Sequence, residues 1–145
     1  MDTVFLLSNA YIIPFWFMMI GLPRWHWTKR IIGSPLIVAP LALLYAALIV
    51  PQLGSLLTDL LNPGLANIAA ALGTPEGALV GWVHFLTFDL FVGRWVYLDS
   101  QEKKLSPWLM APVLFLILMM GPLGFLVYLM IRAVGRVAPS SQPLP

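Results

Sequence analysis

The sequence predicts an all-α integral membrane protein, a bundle of four transmembrane helices with short interfacial helices in its second loop. Hydrophobic residues make up 60% of the chain and charged residues only 10%, whereas soluble domains carry about 25% charged residues. Several apolar runs also approach the roughly 20 residues that a helix needs to cross a bilayer. We therefore expect one membrane domain over residues 1–136, followed by a disordered tail rich in Pro and Ser over residues 137–145.

The first two spans are predicted over residues 4–22 and 31–50. No basic segment precedes the first apolar run and no small-residue cleavage site follows it. We therefore interpret it as a retained span rather than a signal peptide. A basic loop with two tryptophans separates the two spans, and this composition is typical of a membrane interface.

The second loop contains a break at Asn62-Pro63-Gly64. The break divides the loop into two predicted short helices, and each is too short to cross a bilayer. We expect both helices to lie in or near the interface. They would serve either as a surface linker or as a lid over a site between the spans.

The third and fourth spans are predicted over residues 76–98 and 107–132. Thr74-Pro75-Glu76 is a strong helix start, because Thr can cap, Pro suits the first position and Glu suits the positive end of the dipole. Ser106-Pro107 predicts the start of the fourth span in the same way, with Ser as the cap and Pro at the first helical position. Two interruptions are predicted in the last helix, at Pro112 and at Gly121-Pro122-Leu123-Gly124. The two prolines predict a bend, because each removes a backbone hydrogen bond.

The distribution of charge predicts an orientation. The first and third loops contain Arg24, Lys29, Arg30, Lys103 and Lys104. By the positive-inside rule these loops face the cytoplasm. Both termini, the second loop and Arg132 are then expected on the non-cytoplasmic side.

Residue usage excludes several classes of site. The chain has no cysteine and two histidines, so disulfides, thiolate nucleophiles and Cys-based metal or iron–sulfur sites are excluded. The two histidines lack the spacing of a metal cluster, and we predict no metal and no cofactor. The basic residues form no aromatic-rich basic face, so we predict no nucleic-acid partner.

Three ionisable residues inside the third span are the candidate functional groups: His84, Asp89 and Arg94. Each costs roughly 2.5–3.5 kcal/mol in a membrane helix, so their presence needs a reason. Asp89 lies five residues from each of the others, about 140° around the helix, so it cannot form an i,i+4 pair with either. We expect another helix to complete the site, most plausibly the first span near Asn9 and Pro14. Purely structural roles remain open for two of these residues. Arg94 could extend its charged group to the membrane surface, and His84 could make an interhelical hydrogen bond.

Aromatic residues predict a groove for a long, flat, apolar ligand, such as a carotenoid or a lipid. Interfacial belts explain four of the aromatic residues without any ligand, namely Trp25, Trp27, Tyr97 and Trp108. Helix packing or lipid contact is the alternative for the deeper residues Phe85, Phe88 and Phe91. The candidate ligand-binding residues are Asn9, Pro14, Trp16, Trp82, Phe88, Phe91 and Pro122.

These residues resemble a known family. Residues 82–99 read W-V-H-F-L-T-F-D-L-F-V-G-R-W-V-Y-L-D. This stretch resembles the W-x-H-x-L-x-x-D-L-F-x-x-R-x-V-x-x-D signature of the abscisic-acid-deficient-four, or neoxanthin-synthase-like, family. Its members are small four-helix membrane proteins, and the plant members are associated with neoxanthin synthesis in plastid membranes. Asn9, P-F-W at residues 14–16 and P-L-G at residues 122–124 extend the resemblance over nearly the whole chain.

The resemblance implies a chemistry. The substrate class would be a xanthophyll and the reaction a violaxanthin-to-neoxanthin isomerisation, which opens an epoxide and removes a neighbouring proton to leave an allene. This reaction needs an acid and a base but no redox cofactor. Asp89 or His84 would take the proton, and the other, or Arg94, would assist the developing alkoxide. Because no plastid transit peptide is present, we expect a bacterial or cyanobacterial member in the bacterial inner membrane or the thylakoid.

Two other function classes stay open at this point. The chain could be a non-catalytic carotenoid- or lipid-binding subunit, or a scaffold, in a homo-oligomer or a pigment–protein complex. It could also be a small proton-coupled transporter with Asp89 as the carrier, although no paired internal repeats favour that fold.

Overall fold

The computed structural model describes residues 1–54, 57, 61 and 64–135, and all regular structure in these residues is helical. The α-helices of this part are α1 (Asp2–Gly21), α2 (His26–Gly33), α3 (Ala39–Ile49), α4 (Leu65–Leu72), α5 (Pro75–Glu102) and α6 (Pro107–Gly135). The predicted all-α class is confirmed. The predicted break at Asn62-Pro63 and the predicted disordered tail lie outside the described residues.

The central element is α5, which packs against α1, α3, α4 and α6. It begins as predicted: Pro75 occupies its first turn, and the Thr74 hydroxyl accepts a hydrogen bond of 3.0 Å from the Gly77 N–H. Its 28 residues extend about 42 Å at 1.5 Å per residue. Asp89 lies at the midpoint of this helix.

The first helix runs parallel to α5. Near one end, Trp82 Nε1 donates a hydrogen bond of 3.2 Å to Asn9 Oδ1. Further along, the ring of Trp16 lies against Gly93, where any Cβ would overlap the ring. Both helices therefore start at the same end of the bundle.

The predicted second span, residues 31–50, is not a single helix. Ser34 is extended, with φ −78° and ψ 126°, because the residue before a proline disfavours the helical region. The chain then continues through a 3₁₀ turn (Pro35–Ile37), α3 and a second 3₁₀ turn (Val50–Gln52). Residues 35–52 therefore form a helical path of about 27 Å that returns alongside α5.

The last helix reverses its direction at Met120. Met120 has non-helical φ −144° and ψ 48°, and Pro122 two residues later has no N–H to continue the ladder. A Cβ at Gly124 would lie 2.7 Å from Ile117 Cα, although residues seven apart lie about 10 Å apart along a continuous helix. The two arms of α6, residues 107–119 and 121–135, are thus packed side by side as a hairpin.

An ion pair at the far end of the hairpin confirms the reversal. Arg132 Nε donates to Asp99 Oδ2 at 2.8 Å. The Tyr128 hydroxyl donates to the same oxygen. A straight helix from Pro107 would carry Arg132 about 37 Å away from the end of α5. The second arm therefore returns to the end from which the first arm started.

The predicted fourth span, residues 107–132, therefore needs correction. By length and composition, three helical segments could cross a membrane: α1, α5 and Pro107–Val134. The third is folded in two, and each arm reaches only about 20 Å, short of a hydrocarbon core of about 30 Å. The predicted bend lies next to Gly121-Pro122 and is a full reversal of direction. At Pro112 the prediction of an interruption is wrong, because the backbone stays helical there.

The two ends of the bundle differ in charge. What we call the basic end holds every described Lys and Arg: Arg24, Lys29, Arg30, Arg94, Lys103, Lys104 and Arg132. The opposite, acidic end holds Asp2 and Glu76. Arg132 was expected at the end opposite the basic loops. That expectation is wrong, because the hairpin returns Arg132 to Asp99.

Candidate functional site

A cleft of about 880 Å³ lies between α1, the middle of α5 and the tip of the hairpin. It has apolar walls with a few polar groups, which is typical of small-molecule sites. Its lining consists of Asn9, Ile12, Trp82, His84, Phe85, Leu86, Phe88, Asp89 and the residues from Leu118 to Leu123.

Asp89 faces the hairpin tip. Gly121 lies so close that an added Cβ would overlap Oδ1 of Asp89 and lie 3.5 Å from Oδ2. The second arm of α6 begins at this tip, so the positive end of its dipole lies beside the carboxylate. No ion pair reaches Asp89 within the described part of the chain. The carboxylate therefore lies beside the backbone and the positive dipole end of the hairpin tip, and it also lines the cleft.

His84 lines the same cleft from a different face of α5. Its ring centroid lies 4.7 Å from that of Phe88 and 5.5 Å from that of Tyr45 on α3. The side chain is exposed. The cleft thus receives both His84 and Asp89, which the helical geometry had placed on separate faces of one helix.

Arg94 does not reach the cleft. Its Nε donates to the Ile32 carbonyl at 2.7 Å, and a second guanidinium nitrogen donates to the Gly33 carbonyl at 2.5 Å. These carbonyls belong to the last turn of α2, where helical partners are missing. Arg94 therefore ties α2 to α5 and does not line the cleft, and its catalytic role stays a prediction.

Several predicted ligand-binding residues lie together. Asn9 and Trp82 line the cleft and are joined by their hydrogen bond, and Phe88 and Pro122 line it as well. Asn9 Nδ2 also donates to the Phe5 carbonyl at 2.7 Å, which orients the amide.

Other predicted ligand-binding residues lie outside the cleft. Trp16 is buried against Gly93 and is only 3% exposed. Pro14 and Phe91 are exposed and do not line the cleft. The first span contributes Asn9 to the site, as expected, but Pro14 does not accompany it.

The partner of Asp89 was missed at the sequence level. The Gly-Pro pair at residues 121–122 was recognised as a bend, but its contact with Asp89 depends on a reversal that no local pattern specifies. The pairing of Asp99 with Arg132 was missed for the same reason. An available signal was Arg132 itself, a charge near the end of a long apolar segment.

Metal ligation has no support in the residues described. They contain no group of three or more His, Cys, Asp or Glu side chains that could hold a metal ion. The polar groups of the cleft are instead a carboxylate, an imidazole and an amide. These groups can accept, donate and position protons.

Comparisons with known proteins agree with the resemblance in the sequence. The family model described as ABA DEFICIENT 4-like matches residues 3–128. Among curated proteins, "Protein ABA DEFICIENT 4, chloroplastic" from Arabidopsis thaliana is 26% identical over 111 residues, which is 72% of this chain and 50% of that protein. The chain thus spans about half the length of this relative. No solved structure matches the chain. The match over most of its length shows that the chain belongs to the ABA DEFICIENT 4-like family.

Proposed function

We propose that this chain is an integral membrane protein of carotenoid metabolism that isomerises a xanthophyll epoxide to an allene in the cleft at Asp89. The observation that carries the proposal is a carboxylate at the midpoint of a long apolar helix, which faces an aromatic-lined cleft and lies against a hairpin tip. Membership of the family supports the substrate class.

The fold supports one arrangement in the membrane. We place α1, residues 35–52 and α5 across the bilayer, with the α6 hairpin entering from the basic end and turning back at Met120. The positive-inside rule puts the basic end in the cytoplasm. The N-terminus and α4 then lie on the other side, and the second arm of α6 ends in the cytoplasm. Asp89 and the hairpin tip meet near the middle of the bilayer.

The cleft suits the ring of a xanthophyll. Trp82, Phe85, Phe88 and Met119 line it, and each is between 40% and 59% exposed. In a bilayer this exposure faces lipid, so a carotenoid could enter sideways without crossing water. The ring's oxygen atoms would meet the polar groups of the site, and the apolar walls would exclude water, which strengthens those electrostatic contacts.

The reaction requires one proton to leave carbon and one to reach oxygen. Asp89 takes the proton from the chain carbon next to the ring, and the electrons of that C–H bond form the second double bond of the allene. The epoxide C–O bond at the neighbouring ring carbon breaks, and its oxygen takes a proton to become a hydroxyl. Atoms and electrons balance, and no oxidant or reductant is needed.

His84 is the second group for this chemistry, because it lines the same cleft and an imidazole can act as a general acid or a general base. In the protonated form it supplies the proton that the opening epoxide oxygen needs. The same chemistry also allows the reverse assignment, with His84 as base and Asp89 as acid.

The test uses a host that makes violaxanthin but no neoxanthin. Wild-type protein should produce the allenic product, and Asp89→Asn should lower its formation by about a hundredfold or more, as expected for loss of a general base. Glu76→Gln is the control, since it removes a carboxylate from the same helix outside the cleft and should leave product formation unchanged. Wild-type protein that alters no carotenoid would contradict the proposal, and so would equal activity of Asp89→Asn.

A further inference from the structure

Two further cavities continue the cleft along α1 toward the basic end. A cavity of about 380 Å³ shares Ile12 and Leu118 with the cleft. A cavity of about 430 Å³ shares Ile20 and Gly21 with that middle cavity. We call this row of three cavities the α1 groove. Along α1, from Asn9 to Gly21, it extends about 18 Å.

The groove is polar at its two ends and apolar between them. Asp89, Asn9 and His84 mark the inner end. The middle cavity is lined only by apolar side chains and a glycine, with Trp16 and Phe17 among them. Arg24 lines the outer end and has no ion-pair partner among the described residues. This order of polarity fits a rod-shaped molecule with a polar group at each end.

Aromatic side chains line every level of the groove. Trp82 and Phe88 line the cleft, Trp16 and Phe17 the middle cavity, and Trp25 and Trp108 the outer cavity. The buried Trp16 Nε1 has no hydrogen-bond partner. Flat aromatic faces favour stacking with a conjugated chain. A saturated acyl chain would be stabilised less by these aromatic faces. Its methyl end would lie against the Asp89 carboxylate and could not form a hydrogen bond with it.

We propose that the polyene chain of the bound xanthophyll lies in the α1 groove, with one ring at Asp89 and the other ring directed to Arg24, Trp25 and Trp108. This inference rests on the proposed function. It makes the outer cavity a second subsite, which binds the distant, non-reacting ring at the membrane interface. Indole rings suit that position because they combine an apolar body with a polar N–H.

Gly21 offers a way to block the groove between the two subsites. It lines both the middle and the outer cavity, and an added Cβ would lie 3.5 Å from Phe17, an ordinary contact. Gly21→Leu should therefore fill the passage without disturbing the packing. Gly33→Leu is the matched control, because Gly33 also ends a helix, has open space around its Cβ position and lines none of the three cavities.

The experiment measures binding of two probes to purified protein by quenching of tryptophan fluorescence. One probe is violaxanthin, and the other is a fragment with the same epoxide ring and a polyene cut to the length of the cleft. Gly21→Leu should weaken violaxanthin binding by about tenfold or more and change fragment binding less than about twofold. Gly33→Leu should change neither. Arg24→Gln, at the outer end, should also weaken violaxanthin more than the fragment.

The outcomes separate this inference from the proposed function. If wild-type protein converts violaxanthin but Gly21→Leu binds both probes like wild type, the polyene chain does not lie in the α1 groove. The proposed function then stands. Equal weakening of both probes would also overturn the groove. Displacement of violaxanthin by dioleoyl phosphatidylglycerol vesicles would assign the groove to lipid. If wild-type protein neither binds nor converts violaxanthin, both proposals fail together.

Discussion

At the scale of single residues, the site depends on a close contact between Asp89 and Gly121. A glycine at the hairpin tip lets backbone approach the carboxylate, and any side chain there would overlap Oδ1. This contact brings the positive end of the second arm of α6 to a charge that has no ion-pair partner among the described residues. Gly121 thus lies against the carboxylate and forms part of the wall of the cleft.

Gly121→Ala should lower both stability and activity. The new methyl group must displace Asp89 or the hairpin tip, and overpacking of this kind costs about 1–3 kcal/mol. The free energy of unfolding in detergent and the rate of product formation are the measurements. Gly33→Ala, with open space around its Cβ position, should stay within about 0.5 kcal/mol of wild type.

A double variant makes this prediction specific to the contact. Asp89→Ala removes the atoms that the new methyl group meets, so the cost of Gly121→Ala should largely disappear in that background. An undiminished cost in the double variant would mean that Gly121 and Asp89 are not in contact. Unchanged stability of Gly121→Ala alone would lead to the same conclusion.

Arg94 shows which contacts cannot be predicted from the sequence around a single residue. Its charge inside an apolar span suggested a catalytic role, and the snorkelling alternative was also considered. Its guanidinium instead donates to the carbonyls of Ile32 and Gly33. Those acceptors are backbone atoms of a different helix about sixty residues away, and no sequence pattern reveals them.

At the scale of elements, the α6 hairpin is held at both of its ends. Its tip contacts Asp89, and its second arm is fastened by Asp99 to Arg132 and Tyr128. Arg132 also lies over the Trp95 ring, 5.6 Å from its centroid. The reversal therefore depends on contacts with α5 along the whole second arm.

Arg132→Leu should weaken this attachment. The variant removes the guanidinium that neutralises the carboxylate of Asp99, whose side chain is 12% exposed. Loss of a hydrogen bond to a charged group lowers the free energy of unfolding by about 2 kcal/mol. Chemical unfolding in detergent measures the loss. Lys103→Gln is the control: Lys103 contacts the same carboxylate at 3.5 Å as an i,i+4 pair, and such pairs contribute only about 0.5 kcal/mol. If Arg132→Leu lowers the free energy of unfolding no more than Lys103→Gln does, Arg132 does not attach the second arm of α6 to Asp99.

Local signals in the sequence were sufficient to predict the end of a helix where neighbouring residues fix that end. Thr74 and Pro75 predict the start of α5 because a cap and a first-turn proline act within one turn. Ser34-Pro35 carried a comparable signal for a break, but the apolar run of residues 31–50 outweighed it. The reversal at Met120 could not be predicted, because Gly-Pro allows a bend of any size and its angle is set by contacts with Asp89 and Asp99.

At the scale of the whole molecule, the hairpin explains the distribution of charge. With four straight spans, Arg132 would lie at the acidic end and weaken the positive-inside bias. With the reversal, every described Lys and Arg lies at one end. In the proposed arrangement of three crossings and a re-entrant hairpin, the described charges would therefore follow the positive-inside rule. The backbone that reaches mid-membrane in that arrangement would be buried in protein or line a cleft, where it is tolerated.

The central claim is that the last helix turns back, because only then do Gly121 and Asp89 meet. Single cysteines test it directly, since the chain has none of its own. Glu76→Cys, Lys104→Cys and Val134→Cys would each be labelled in sealed vesicles with a membrane-impermeant maleimide. We predict that positions 104 and 134 react from the same side and position 76 from the opposite side. Reaction of position 134 from the same side as position 76 would make α6 a straight crossing and contradict the account.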